Sequence, residues 1–176
     1  MIQWAILHVV ALVIVQVCII CVMPHFEPRK HLHHDIPAWV NNDALFFITL
    51  CCVERGRNQL CLPDVSESIL AAGEYYHSHQ YWYCRLMLLM PDHLHAIISF
   101  STTEDMSQRM ALFKAFTKKQ TGVDWQRGFY DHRIRDYQNW QNKAHYIREN
   151  PIRAELIKEG DQWPYIWEPD AGIRNC

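Results

Sequence analysis

Two apolar runs, YWYCRLMLLM over residues 81–90 and LHAIISF over 94–100, are separated by little more than Pro91-Asp92. Pro presets φ and Asp tolerates a tight turn, so the chain reverses here and the two runs pair as an antiparallel hairpin. A third β-rich run, ALFFITLCCV (44–53), precedes the hairpin, and FYDHRIR (129–135) is a short edge-strand candidate after it. Two helical patterns lie between them. In DVSESILAAGEYYHSH (64–79), Val65, Ile69, Ala72 and Tyr76 fall at helical spacing, and Asp64 with Glu67 reads as a capping box. Gly73 weakens that pattern slightly. MSQRMALFKAFTKKQTG (106–122) ends on Gly122, a natural helix stop. A third helix is predicted from about 137 to 149, stopping at Asn150-Pro151 because proline restricts the residue before it. IRAELI then reads as a short helix, and WPYIW opens the tail.

The order from residue 44, β-α-β-β-α-β-α, predicts an α+β fold. It matches a ferredoxin-like split βαβ sandwich with an antiparallel sheet, helices on one face and the hairpin strands central, plus an additional C-terminal helix and tail. Residues 44–158 form the expected domain, 159–176 the tail and 23–43 an extended lead-in. Residues 4–22 are apolar apart from His8 and Gln16. As a helix they would extend about 28 Å, close to the thickness of a bilayer core. Met23 begins a stretch that reads as a soluble amino terminus, so residues 1–22 are expected to be an extension foreign to the fold. Membrane tethering through residues 4–22 is the alternative; otherwise the chain is expected in the cytoplasm, at the nucleoid.

Seven cysteines, an odd number without a small-scaffold pattern, read as reduced packing residues. Cys51 and Cys52 are adjacent, so on a strand they face opposite ways. The net charge of −2 does not point to nucleic acid, but its distribution is uneven. Residues 106–158 hold eleven basic residues against five acidic ones, with aromatics interleaved. A polyanionic partner is plausible there, although charge alone fits solvated helix faces better.

His93 and His95 sit two apart in the second hairpin strand and therefore project from one face. Two such imidazoles can chelate a divalent ion, yet an isolated H-x-H is more often a pair of hydrogen-bonded structural histidines. Helix three changes the balance. Tyr146 and Asn150 lie four apart, one helical turn from each other on the same face. Two imidazole nitrogens and one amide oxygen would hold an ion with positions left for phosphate oxygens, and the phenol would be the nucleophile. Taken alone, Tyr146 reads as a half-buried packing residue.

The blocks MPDHLHAI, GFYDHRIRD, YIRENPIRAELI and WPY resemble, in order, the single-tyrosine HUH transposases, most closely the REP-associated tyrosine transposases. The resemblance runs from about Ile36 to Trp167. It implies a ferredoxin-like fold acting on single-stranded or hairpin DNA with Mg²⁺ or Mn²⁺. It implies His93, His95 and Asn150 as metal ligands and Tyr146 as the nucleophile of a 5′-phosphotyrosine intermediate. It also places DNA-binding lysines on the second helix, here Lys114, Lys118 and Lys119. Arg133 and Arg135 alternate on one strand face and can meet backbone phosphate. Trp125, Phe129 and Trp163 are candidates for base stacking, with core packing the commoner fate. His132 reads as structural, and neither Tyr130 nor Tyr137 has a suitable amide four residues on.

The expectation is a metal-dependent, site-specific single-strand DNA endonuclease and strand transferase, working as monomer or homodimer. The alternative is a non-catalytic hairpin-DNA-binding protein of the same fold. A membrane-tethered interaction protein and a zinc hydrolase are weaker rivals.

Overall fold

The computed structural model describes residues 44–101 and 105–169. The apolar segment 1–22, with its membrane alternative, and the lead-in 23–43 lie outside the described residues. Among the described residues no helix is long and apolar enough to cross a membrane. The elements in chain order are β1 (Leu45–Cys51), α1 (Pro63–Ser78), β2 (Tyr83–Met90), β3 (His93–Ser99), α2 (Met106–Thr121), β4 (Tyr130–Ile134), α3 (Tyr137–Arg153) and β5 (Ile166–Trp167).

The strands form one antiparallel sheet in the order β4-β1-β3-β2-β5. The first four strands carry the ferredoxin-like arrangement expected from the element order. Both hairpin strands are interior, as predicted, because β5 covers the outer edge of β2; β1 is interior as well. The fifth strand was not anticipated. A two-residue pairing is too short to leave a periodic signal in sequence.

Alternation along the strands divides the core in two. Phe46, Ile48 and Leu50 of β1 and Leu94, Ala96 and Ile98 of β3 join Ile69, Ala72 and Tyr76 of α1 and Met110 and Phe113 of α2. On the opposite face, Phe47, Leu86, Leu88 and Ile97 meet Ala144 and Ile147 of α3. The register of β2 against β3 shifts between Cys84 and Leu86. This bulge inverts the alternation, so Cys84 joins the first core while Leu86, Leu88 and Met90 line the second. One bulge thus supplies the seat for α3.

Three boundaries differ from the sequence reading. The capping box at Asp64 does not form: the N-cap is Leu62, without a side-chain cap, and Pro63 opens α1 with its φ already helical. Gly73 is a close-packing site, since a Cβ there would lie 2.8 Å from the Met87 sulfur. Helix α3 does not stop at Asn150 but passes through Pro151 to Arg153. Pro151 forfeits only the bond to Ile147, its ring is buried, and the helix resumes with Ala154 N donating to Asn150 O at 2.9 Å. IRAELI accordingly forms no helix of its own. Gly122 ends α2 in the left-handed region, φ 75°, as expected.

Cys51, Cys52, Cys61 and Cys84 are free thiols. Burial pushes Cys52, Cys61 and Cys84 up to about 12, which keeps them protonated packing groups.

Candidate active site

The face of the sheet that carries α3 also carries His93 and His95. Each pairs across β1, His95 with Thr49 and His93 with Cys51, so these four side chains leave the sheet together. The imidazole centroids are 4.8 Å apart and the rings are nearly perpendicular. His95 is buried, 6% exposed, and stacks on Phe47 at 5.2 Å.

Both Nδ1 atoms are engaged. His93 Nδ1 donates to Asp92 Oδ1 at 2.7 Å, and His95 Nδ1 lies 2.9 Å from Thr49 Oγ1. The second carboxylate oxygen of Asp92 accepts from Gly56 N at 2.7 Å and pairs with Arg55 Nε at 3.1 Å. The loop after β1 is further pinned to the hairpin turn by Gln59 N and Leu60 N, which donate to Pro91 O. A carboxylate bonded to Nδ1 fixes the His93 tautomer and turns the Nε2 lone pair outward, the usual support for a metal-bound histidine. Burial lowers His93 despite the opposing pull of Asp92. Burial, then the neighbouring His93, Arg55 and Lys143, lowers His95 to about 3. Both rings are therefore neutral at physiological pH, as metal ligation requires. Burial raises Asp92, but the Gly56 and His93 hydrogen bonds and the Arg55 charge outweigh it and hold the carboxyl below its usual value.

Tyr146 reaches this pair from α3. Its ring centroid is 6.0 Å from that of His95 and 6.2 Å from that of Phe47, with a third of the side chain open to solvent. The position follows from packing: Ala144, Ile147 and Pro151 are the buried residues of α3, which leaves Tyr146 on the flank nearest the histidines. Asn150 Nδ2 donates to Tyr146 O at 3.1 Å, which leaves the amide oxygen as the donor atom for a cation. Among the described residues no three His, Cys, Asp or Glu side chains cluster to hold a metal. Two imidazole nitrogens on β3 and a carboxamide oxygen on α3 are donor types that a divalent cation can take.

The five basic residues expected to meet DNA are not equivalent. Lys114 Nζ donates to the carbonyls of Gln126, Arg127 and Gly128 at 2.9, 2.7 and 3.2 Å, tying the approach to β4 onto α2. Lys118 pairs with Asp124. Lys119 and Arg135 are exposed. Arg133 pairs in register with Phe46 and leaves the sheet on the α1 and α2 side, away from Tyr146. Lys114→Ala is expected to cost about 1–2 kcal/mol of unfolding free energy in urea titrations, because three carbonyls lose a charged donor. Lys119→Ala should leave stability unchanged.

Trp125 donates to Thr117 Oγ1 and Trp163 to Leu89 O, and both pack against the core rather than standing free for bases. Asp92 adjoins the histidines in sequence, but only the fold shows which groups surround it. Thr49 carried no signal, since its partnership with His95 depends on strand register. Tyr130 pairs with Thr49 and so lies in the His95 row, on the site face, 6.2 Å from Phe47.

No protein-family model matches the chain. It is 25% identical over 140 residues to a Haemophilus influenzae protein named for the REP-associated tyrosine transposases, covering 69% of this chain and 78% of the relative. It is 27% identical over 81 residues to the REP-associated tyrosine transposase of Escherichia coli, covering 44% of this chain and 49% of that relative, about half its length. Its fold matches a REP-associated tyrosine transposase solved with a bound REP hairpin, with a TM-score of 0.60, 20% identity and coverage of 74% and 80% of the two chains. The resemblance read from the sequence blocks is borne out: the chain is similar in sequence to proteins named as REP-associated tyrosine transposases.

Proposed function

We propose that this chain is a metal-dependent, site-specific single-strand DNA endonuclease and strand transferase that works through a covalent 5′-phosphotyrosine on Tyr146. One observation carries the reading. A phenol on a late helix comes to 6.0 Å, ring to ring, from one of two neutral imidazoles whose Nδ1 atoms are already engaged.

His93, His95 and the Asn150 amide would hold the ion, with Mn²⁺ a better match than Mg²⁺ to a set containing two nitrogens. When bound, it supplies Lewis-acid polarisation of the scissile phosphate. The Tyr146 oxygen attacks phosphorus, the bond from phosphorus to the 3′ oxygen breaks, and the phenolic proton is balanced by one taken up at that oxygen. One phosphodiester is exchanged for another, so the free 3′-hydroxyl of a second strand can reverse the step without a nucleotide cofactor. Phe47, itself buried, stacks on His95 and backs the site with an apolar ring. Hairpin DNA is the proposed substrate, following the ligand of the structural relative.

The test is incubation of labelled single-stranded hairpin DNAs, with varied flanks, with protein and Mn²⁺, followed by denaturing electrophoresis. A protein-linked product supports the enzyme; hairpin binding without any linked product leaves a non-catalytic DNA-binding protein. Asp92→Ala, which frees the His93 ring, is expected to weaken Mn²⁺ binding roughly 10–100-fold in calorimetric titrations. Unchanged affinity would place the ion elsewhere.

A further inference from the structure

Two cations bracket Tyr146. Lys143, Tyr146, Asn150 and Arg153 are spaced by three, four and three residues, so they form one stripe along α3. Lys143 Nζ lies 5.0 Å from the Phe47 ring centroid and 5.9 Å from that of Tyr146. Arg153 Cζ lies 5.2 Å from the Tyr146 ring centroid. Among the described residues neither cation has a carboxylate partner, whereas Arg148, on the same helix, is held in a bidentate pair by Glu168. Arg153 gains some stabilisation from the helix C-terminus, but that does not account for Lys143, far from that end.

We propose that Lys143 and Arg153 form a two-cation clamp that grips the non-bridging oxygens of the scissile phosphate beside Tyr146 and stabilises the charge that builds as the phenol attacks. The proposal rests on the reading of Tyr146 as the nucleophile. Attack at a phosphodiester concentrates negative charge on the equatorial oxygens, and the two imidazoles and the amide offer no positive charge of their own. The Arg153 fork suits two oxygens of one phosphate, and Lys143, half-buried between Phe47 and Tyr146, acts as a point charge on the inner side. The clamp makes and breaks no covalent bond. The Tyr146 oxygen to phosphorus bond still forms as the 3′ oxygen leaves.

The test uses the full chain, with Lys143→Gln, Arg153→Gln and the double variant, and Lys143→Arg and Arg153→Lys as conservative controls. Two readouts are needed: the single-turnover rate of covalent adduct formation at saturating hairpin DNA with Mn²⁺, and the salt dependence of single-strand binding without metal. Each single Gln variant is expected to slow adduct formation about 10–100-fold, with the conservative variants recovering most of the rate. The double variant should flatten the logarithmic salt slope by roughly 0.7, the value for one single-strand phosphate contact. An unchanged slope and wild-type adduct rates in the Gln variants would overturn the clamp. A rate loss seen at subsaturating DNA but absent at saturation would overturn its transition-state role. If the wild-type chain forms no adduct while the slope still falls, the nucleophile reading fails and the phosphate grip stands.

Discussion

Tyr146→Phe is expected to abolish the covalent DNA adduct completely while leaving hairpin affinity within about twofold of wild type. The substitution removes one oxygen and nothing else. The ring would keep its edge contacts with His95 and Phe47, at 6.0 and 6.2 Å, and the buried face of α3 would be untouched. Loss of the nucleophile cannot be offset by positioning or metal, because no phosphotyrosyl bond can form without the phenol oxygen. Denaturing gels of labelled hairpin DNA with Mn²⁺ provide the measurement. Tyr130→Phe is the informative companion, since Tyr130 lies on the same sheet face. An adduct that survives in Tyr146→Phe and disappears in Tyr130→Phe would move the nucleophile from α3 to β4.

Ile147→Ala should be the most damaging change outside the reacting groups. Ile147 is fully buried in the smaller core with Phe47, Leu86, Leu88 and Ile97. Truncating a buried isoleucine costs about 2–5 kcal/mol, and a small core closes poorly around the gap. Ala144, Ile147 and Pro151 are the buried residues of α3, with Trp140 packed beside them and the Arg148–Glu168 pair as an outer tie. The loss should therefore fall on the docking of this helix. Urea unfolding should show the drop in stability, and adduct formation per folded molecule should fall well beyond hairpin binding. Ile69→Ala in the opposite core is the control, with a comparable loss of stability and no disproportionate loss of adduct. If Ile147→Ala changes stability by less than about 1 kcal/mol, α3 is not held on the sheet as described.

The histidine pair was legible because strand alternation needs no tertiary knowledge: residues two apart share a face whatever the strand pairs with. The one-turn spacing of Tyr146 and Asn150 was legible for the same reason, helical period being local. Pro151 misled because the restriction it imposes is local too, whereas burial of its ring lets the helix run on to Arg153. Asp64 misled likewise, since a capping pattern is only an option and the chain took the proline start one residue earlier. Lys114 could be recognised as a cation but not as a tie across three carbonyls, because Gln126, Arg127 and Gly128 approach it only in the folded chain.

By itself the sequence determined the order of elements from β1 to α3, the common face of His93 and His95 and the common face of Tyr146 and Asn150. These are periodic properties of short segments. Tertiary structure alone decided that α3 settles on the histidine face of the sheet, that Thr49 stands beside His95, and that Lys143 and Arg153 flank the phenol. Those outcomes depend on strand register and on a bulge at Cys84–Leu86 that gives α3 an apolar seat, and both are settled by contacts between residues far apart in the chain.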